Sequence, residues 1–315
     1  MKALVTGGAG FIGSNIVEKL LKQGHTVIVL DNLVNGKKEN LSFVSKYSSN
    51  KENFRFIQGD IRDLNLCCTA AKDIDVIFHQ AALRSVPKSL EDPYEYNDVN
   101  ITGTLNMLNA AKENKVKRFV FASSSSVYGE TTKFPEKEND DLLLICPYAL
   151  TKLTGEYYCR IFSENFGIET VALRYFNVFG PRQAVDDEYS VVIPKFIQSM
   201  LNDQQPPIHG DGQQSRDFVF VENVVDANLL AATKEGVSGL VVNIASGQDS
   251  TILSLVEILN QIMGKQIKPT FTPIRAGDVL KTLADISKAE SALGYKPKLD
   301  FAEGLKKTVE SWKNK

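Results

Sequence analysis

Thr6-Gly7-Gly8-Ala9-Gly10-Phe11-Ile12-Gly13 lies between a short β-rich run, residues 2–6 (KALVT), and an apolar face that returns every three or four residues at Ile12, Ile16, Val17, Leu20 and Leu21. A strand therefore runs into a glycine turn and then a helix. Gly7 suits the tight turn, Gly10 suits close approach of a diphosphate, and Gly13 suits close packing of helix on strand, with the helix N-terminus facing negative charge. The next β-rich run, residues 26–31 (TVIVLD), ends on Asp31, eighteen residues after Gly13. Its carboxylate is suited to accept from adenosine ribose hydroxyls and would repel a 2′-phosphate, which favours NAD over NADP.

Outward from this unit, further strands are expected at 54–57, 74–78, 118–122 and 170–174, with helices at 99–114 and 149–166. Strands alternating with helices over this length predict an α/β fold: a Rossmann-like, doubly wound parallel sheet covered on both faces. Beyond residue 178 the rhythm loosens, with PPIHGDG (206–212) as a turn, helices near 222–234, 251–263 and 299–312, and a strand at 240–244. We expect a dinucleotide-binding domain over 1–177 and a smaller α/β substrate domain over 178–315, the 240–244 strand being able to return to the first sheet. No internal repeat or low-complexity tract interrupts the chain.

Composition removes several function classes. The 315 residues, 43% hydrophobic, suffice for a sizeable core, and 36 basic against 38 acidic side chains lack the excess that a nucleic-acid binder needs. Cys67, Cys68, Cys146 and Cys159 have no paired ligand spacing, so neither a metal site nor a disulfide framework is expected, and a cytoplasmic setting fits best. The apolar run at residues 3–5 is too short for a signal peptide or a spanning helix, and no basic amphipathic stretch suggests a membrane surface.

The run 118–122 (RFVFA) leads into Ser123-Ser124-Ser125-Ser126, placing hydroxyls at the carboxyl edge of the sheet, where open α/β folds bind ligands. Tyr148 and Lys152 are four apart at the start of the next helix and share a face. A nearby ammonium favours the phenolate, moving a tyrosine from its usual value near 10 toward use as a base. With a serine bridging phenol and substrate hydroxyl, such a trio beside a nicotinamide suits alcohol oxidation and ketone reduction.

With the glycine motif, the serine run and PYALTK quoted together, the chain resembles the extended short-chain dehydrogenase/reductase family, in particular its NAD-dependent nucleotide-sugar epimerases and dehydratases. The likeness extends through DNLVNG, QGDIRD, HQAALRSV, LRYFNVFGPRQ, SRDFVFVENVVDA and RAGDV. It implies catalytic roles for Ser124, Tyr148 and Lys152. It implies cofactor contacts along Gly7, Gly10, Phe11, Ile12 and Gly13, at Asp31, Asn32, Asn35 and Gly36, at Asp60 and Ile61, and at Ala81 and Ala82, besides Tyr148 and Lys152. From Asp60 alone, an adenine contact and a solvated turn are equally open. For the substrate the resemblance implies Asn177 and Val192, Arg216 and Arg275 on the diphosphate, Arg84, Ser124, Ser125, Ser126 and Tyr148 around the sugar, and Asp278 and Thr282 beyond them.

Relatives that dehydrate their sugar carry carboxylates where this chain has Ser125 and Ser126, and decarboxylases carry a glutamate at the position of Ser126. What the resemblance implies is 4-epimerisation of a UDP-hexose with tightly bound NAD. Thr282 stands where enzymes restricted to glucose and galactose carry a bulky tyrosine, which favours UDP-N-acetylglucosamine/UDP-N-acetylgalactosamine, with UDP-glucose/UDP-galactose as the alternative. UDP-glucuronate 4-epimerases come third, since the chain departs from their pattern at Asn177 and after Arg182. A non-catalytic NAD-binding regulatory protein comes last, because Tyr148 and Lys152 are both present. The helices at 99–114 and 149–166 resemble those that pair in homodimers of this family.

Overall fold

The computed structural model describes residues 1–48, 53–185, 192–274 and 279–313. Seven strands, β1 (Lys2–Thr6), β2 (Thr26–Asp31), β3 (Phe54–Gln58), β4 (Val76–His79), β5 (Arg118–Ser124), β6 (Glu169–Tyr175) and β10 (Leu240–Ile244), form one sheet in the order β10-β6-β5-β4-β1-β2-β3. Every pairing in it is parallel. The fold is the expected Rossmann-like doubly wound sheet.

Apolar runs build it because both faces are covered. Val5 and Val29 turn toward a core shared with Ile16, Val17 and Leu20 of the helix Phe11–Lys22, while Leu4 and Ile77 turn toward Met107, Leu108 and Phe119 on the other face. Lys19 and Lys22 in the last turn of that first helix complement its dipole.

Strand order reverses between β1 and β4, which opens a crevice at their carboxyl ends. The two loops there touch back to back. Gly7 has φ +66°, and a Cβ on it would lie 2.8 Å from the Ala81 nitrogen, so glycine serves both backbone conformation and contact. Thr6 and His79 end their strands in register and share a 2.8 Å hydrogen bond; burial pushes the imidazole down to about 3, leaving it neutral.

After residue 176 the chain adds β7 (Asn177–Phe179), β8 (Pro207–His209), β9 (Ser215–Phe220), β11 (Asp249–Thr251) and β12 (Thr270–Thr272). They form a small mixed sheet, β11-β9-β7, and a parallel pair, β12-β8. PPIHGDG therefore contains a strand as well as a turn, and the SRDFVF strand belongs to neither expected helix nor expected loop. A third core, with Phe179, Phe196, Phe218, Phe220, Leu255 and Leu305, lies under these strands.

Asp217 of β9 fastens this layer. Its carboxylate accepts from Ser246 N (2.8 Å), Ser246 Oγ (2.7 Å), Gly247 N (3.0 Å) and Ala284 N (3.3 Å), and burial pushes it up to about 6. Glu136 is 3% exposed and its Oε2 has no hydrogen-bond partner. Burial, reinforced by Asp217 and Asp140, raises its carboxyl to about 8. The folded protein thus holds this proton more tightly than the unfolded chain. The stability it contributes is full below the ordinary glutamate range and is lost as pH rises through about 8. Glu136→Gln is expected to stabilise the protein at pH 9 by about 1–3 kcal/mol and to have little effect at pH 4. Thermal unfolding of both proteins across that range checks it, and an equal shift at both pH values would refute the assignment.

Candidate active site

The helix Phe11–Lys22 begins at Gly10 without a side-chain cap and without an acid in its first turn, so its first N–H groups point into the crevice unclaimed by side chains. A Cβ on Gly10 would meet only the Gly7 carbonyl, at 3.1 Å, whereas one on Gly13 would lie 2.2 Å from that carbonyl. The loop is thus open on its Gly10 side and closed on its Gly13 side, as a diphosphate cradle must be.

Asp31 is buried at the end of β2. Its Oδ2 accepts from Ala9 N (2.9 Å) and its Oδ1 from Leu33 N (2.8 Å), which aims the carboxylate at the loop. A Cβ on Gly36 would lie 2.7 Å from it. Burial raises this carboxyl above its ordinary value, and the two N–H groups oppose that. Asn32 and Asn35 are exposed nearby. Asp60 is partly exposed but not bare: Arg62 grips both oxygens (3.0 and 2.8 Å) and Asn32 donates to Oδ2 at 2.9 Å, so its carboxyl is held well below the usual range, chiefly by Arg62. Ile61 is buried beside it. These groups fit a dinucleotide with free ribose hydroxyls, offering donors for its diphosphate and a carboxylate for its ribose; Ala81 and Ala82, both partly buried, follow β4, with Ala81 against Gly7.

β5 ends at Ser124, and Pro147–Phe166 begins two residues after Ile145 with Cys146 as its cap. The four serines separate by role. Ser123 is buried and donates to Glu156 Oε1 at 2.5 Å; Ser124 and Ser126 share a hydrogen bond of 2.6 Å; Ser125 is partly exposed beside them. Tyr148 is buried and faces Ser124. Lys152 is buried one turn on, its Nζ donating to the Ala122 carbonyl (2.8 Å) and lying 5.9 Å from the Tyr148 ring centre.

The expected depression of the phenol by Lys152 needs correction. Burial dominates and raises Tyr148; the groups that oppose it are Ser124, through a hydrogen bond, and Arg84, through its charge. Lys152 is itself lowered to about 8 by burial. Desolvation outweighs attraction here because both groups lose water together.

One contributor escaped sequence reading. Asn100, 2% exposed, accepts from Leu83 N (2.8 Å) and donates to Leu83 O (2.9 Å) and Thr151 Oγ1 (3.0 Å), tying the Ala81–Arg84 loop to the Tyr148 helix. It sits in a π-helical turn, Asn97–Thr102, a distortion common at functional sites. The available signal was its helical spacing from Tyr96, Gly103 and Met107, a stripe that the fold buries.

Facing this edge, Asn177 donates to Thr282 Oγ1 (2.9 Å) and to Asp217 O (3.3 Å), and the Thr282 hydroxyl also accepts from Asp217 N (3.2 Å). Arg216 lies on β9 with Nη1 on the Ser215 carbonyl (2.8 Å), and Val192 opens the helix Val192–Leu201. Arg84 is exposed at the crevice rim. Arg275 and Asp278 lie outside the described residues. Among the described residues, no three His, Cys, Asp or Glu side chains are grouped to hold a metal, and no helix is long and apolar enough to cross a membrane.

A Rossmann-like sheet thus carries on one edge a glycine turn at an uncapped helix N-terminus, a buried carboxylate at the end of β2 and a serine–tyrosine–lysine cluster, an arrangement suited to holding a dinucleotide beside a hydroxyl or carbonyl group. Residues 3–245 match the NAD dependent epimerase/dehydratase family, and the chain belongs to that family. It is 37% identical to the UDP-glucose 4-epimerase of Mycolicibacterium smegmatis, over 100% of this chain and 99% of that one. Its fold superimposes with a TM-score of 0.93 on the UDP-N-acetylglucosamine 4-epimerase of Methanobrevibacter ruminantium in complex with UDP-N-acetylmuramic acid, at 42% identity over 99% of this chain and 98% of that one. Against the Thermus thermophilus UDP-glucose 4-epimerase in complex with NAD the TM-score is 0.88, at 34% identity and 99% coverage of both chains.

Proposed function

We propose that this protein interconverts the C4 epimers of a UDP-hexose, with UDP-N-acetylglucosamine and UDP-N-acetylgalactosamine as its main pair and UDP-glucose and UDP-galactose as further substrates. The observation that carries this reading is the gathering of Ser124, Tyr148 and Lys152 on the sheet edge that also bears the glycine cradle. Tyr148, as phenolate, takes the proton from the sugar O4 while the Ser124 hydroxyl orients that oxygen, and the same phenol returns the proton once C4 is rebuilt with the opposite configuration. NAD, when bound, supplies a hydride acceptor that is restored within each turnover, so net oxidation is zero.

In this reading the Gly7–Gly13 loop and the helix N-terminus hold the cofactor diphosphate, Asp31 the adenosine ribose, and Lys152 the nicotinamide ribose. Ala81 and Ala82 line the crevice, with Asn32, Asn35, Gly36, Asp60 and Ile61 around the adenosine end. Asn177, Val192, Arg216 and Arg84 face the nucleotide sugar. Neither Ser125 nor Ser126 can supply the acid that dehydration needs.

The test offers purified protein UDP-N-acetylglucosamine and UDP-glucose separately, and separates products by ion exchange with proton NMR to assign C4. Formation of UDP-N-acetylgalactosamine is the expected result. No epimer from either sugar, with NAD supplied, would overturn the proposal. The small Thr282 leaves room for a 2-acetamido group, so Thr282→Tyr is expected to cut turnover of the acetylated pair about 100-fold relative to UDP-glucose. An unchanged ratio would remove Thr282 from the sugar pocket.

We also assign a homodimer. Leu150, Tyr157 and Ile161 are 52%, 57% and 45% exposed, and their spacing puts them on one stripe of the helix Pro147–Phe166. Tyr157→Glu/Ile161→Glu is expected to shift the sedimenting species from dimer to monomer, and a parent that sediments as a monomer would refute the assignment.

A further inference from the structure

We propose that Glu156 is a positioning residue for the proton transfer assigned to Tyr148, acting through a buried brace with Ser123 and Arg174. The inference rests on that assignment. Tyr148, Lys152 and Glu156 are spaced four apart and follow one another along one face of the helix Pro147–Phe166. Two turns beyond Tyr148, the Glu156 carboxylate reaches the sheet. Its Oε1 accepts from Ser123 Oγ (2.5 Å) and Arg174 Nε (2.9 Å), and its Oε2 accepts from Arg174 Nη2 (2.8 Å).

The register gives this contact its meaning. Ser123 of β5 lies opposite Arg174 of β6, and Ser124 lies opposite Tyr175. A single carboxylate therefore grips the carboxyl ends of two neighbouring strands at the residue pair just before Ser124. It does so from the helix that carries the phenol. Arg174 extends the hold through Nη1 to the Tyr128 hydroxyl (3.0 Å), which donates to Asn243 Oδ1 on β10 (2.7 Å).

Energetics argue that this pair supplies geometry more than stability. Its side chains are 4% and 5% exposed, so both charges have left water. Buried pairs of this kind often give way to well-packed apolar residues without loss of stability, because attraction only offsets desolvation. What apolar packing does not reproduce is a two-point guanidinium–carboxylate contact of fixed orientation. That orientation stops the helix from sliding along the strands, and so sets the separation of the Tyr148 phenol from the Ser124 hydroxyl. Displacements of about 1 Å in such a pair are enough to cost a hundredfold in rate.

The test removes the pair whole, since removing one partner would leave an unpaired buried charge. Glu156→Leu/Arg174→Met is compared with the parent for thermal unfolding, for kcat and KM on the UDP-hexose, and for titration of the Tyr148 ring carbon by 13C NMR, the resonance being identified by its loss in Tyr148→Phe. Expected are cooperative unfolding, kcat lowered at least thirtyfold, KM within threefold, and a Tyr148 titration moved to higher pH as Ser124 drifts from the phenol. A folded double variant with parental kcat and parental titration would overturn the proposal. Should the double variant not fold, Ser123→Ala keeps the ion pair and removes one strand contact; a threefold to tenfold fall in kcat with a shifted titration supports the brace, and parental values overturn it. A parent inactive on every UDP-hexose refutes the epimerase reading, while the titration still decides the brace.

Discussion

Tyr148→Phe is expected to lower kcat by about a thousandfold, the scale of a positioned acid–base group, while leaving the fold intact. The ring stays buried against Tyr96 and Ala149, and only the hydroxyl that faces Ser124 is lost. Affinity for UDP should change little, because Tyr148 acts at the sugar and not at the nucleotide. Steady-state epimerisation alongside calorimetric titration with UDP separates the two effects. A variant that keeps more than a tenth of parental kcat would exclude Tyr148 as the base. The pH dependence carries a second expectation: burial raises the phenol, so activity should climb with pH over the neutral range as phenolate forms, and this limb should vanish in the variant.

Gly13→Ala should be the most damaging change to the cofactor site. Its Cβ would lie 2.2 Å from the Gly7 carbonyl oxygen and 2.9 Å from Gly8 Cα, all backbone, so the loop itself must move. The loop also meets Ala81 through Gly7, and a shift there opens the contact between the turns after β1 and β4. We expect a loss of about 1–3 kcal/mol in stability together with at least a hundredfold weaker NAD binding. Gly10→Ala provides the contrast, since its Cβ meets only the Gly7 carbonyl at 3.1 Å and otherwise fills the space beside the uncapped helix N-terminus. It should weaken NAD binding with little change in thermal unfolding. Equal effects of the two substitutions on both measurements would refute the two-sided reading of the cradle.

Elements held by near neighbours in the chain are legible in the sequence. The helix Phe11–Lys22, the strands flanking it and Asp31 at the end of β2 were legible because each depends on neighbours: an apolar period, a glycine turn, a strand end. Ser124, Tyr148 and Lys152 were legible for a similar reason, since four residues make one helical turn and a buried strand ends at the sheet edge. Strands of three residues such as β7, β8, β11 and β12 were not, because so short a run has no period to read and is held by partners as far away as Thr270 is from Pro207.

What the sequence by itself determined is the doubly wound sheet, the glycine turn after β1 and the placing of the serine run, Tyr148 and Lys152 near one sheet edge, because strand–helix alternation, a glycine turn and a helical repeat of four are each set by nearby residues. What only the tertiary structure decided is how those groups are tuned. Burial, not Lys152, dominates the Tyr148 phenol; Arg62 and Asn32 claim Asp60; Asn177 and Thr282 bond to each other; and Ser123 belongs to Glu156. Desolvation and hydrogen bonding depend on which distant segments meet and how much water they exclude, and those quantities exist only once the chain has packed.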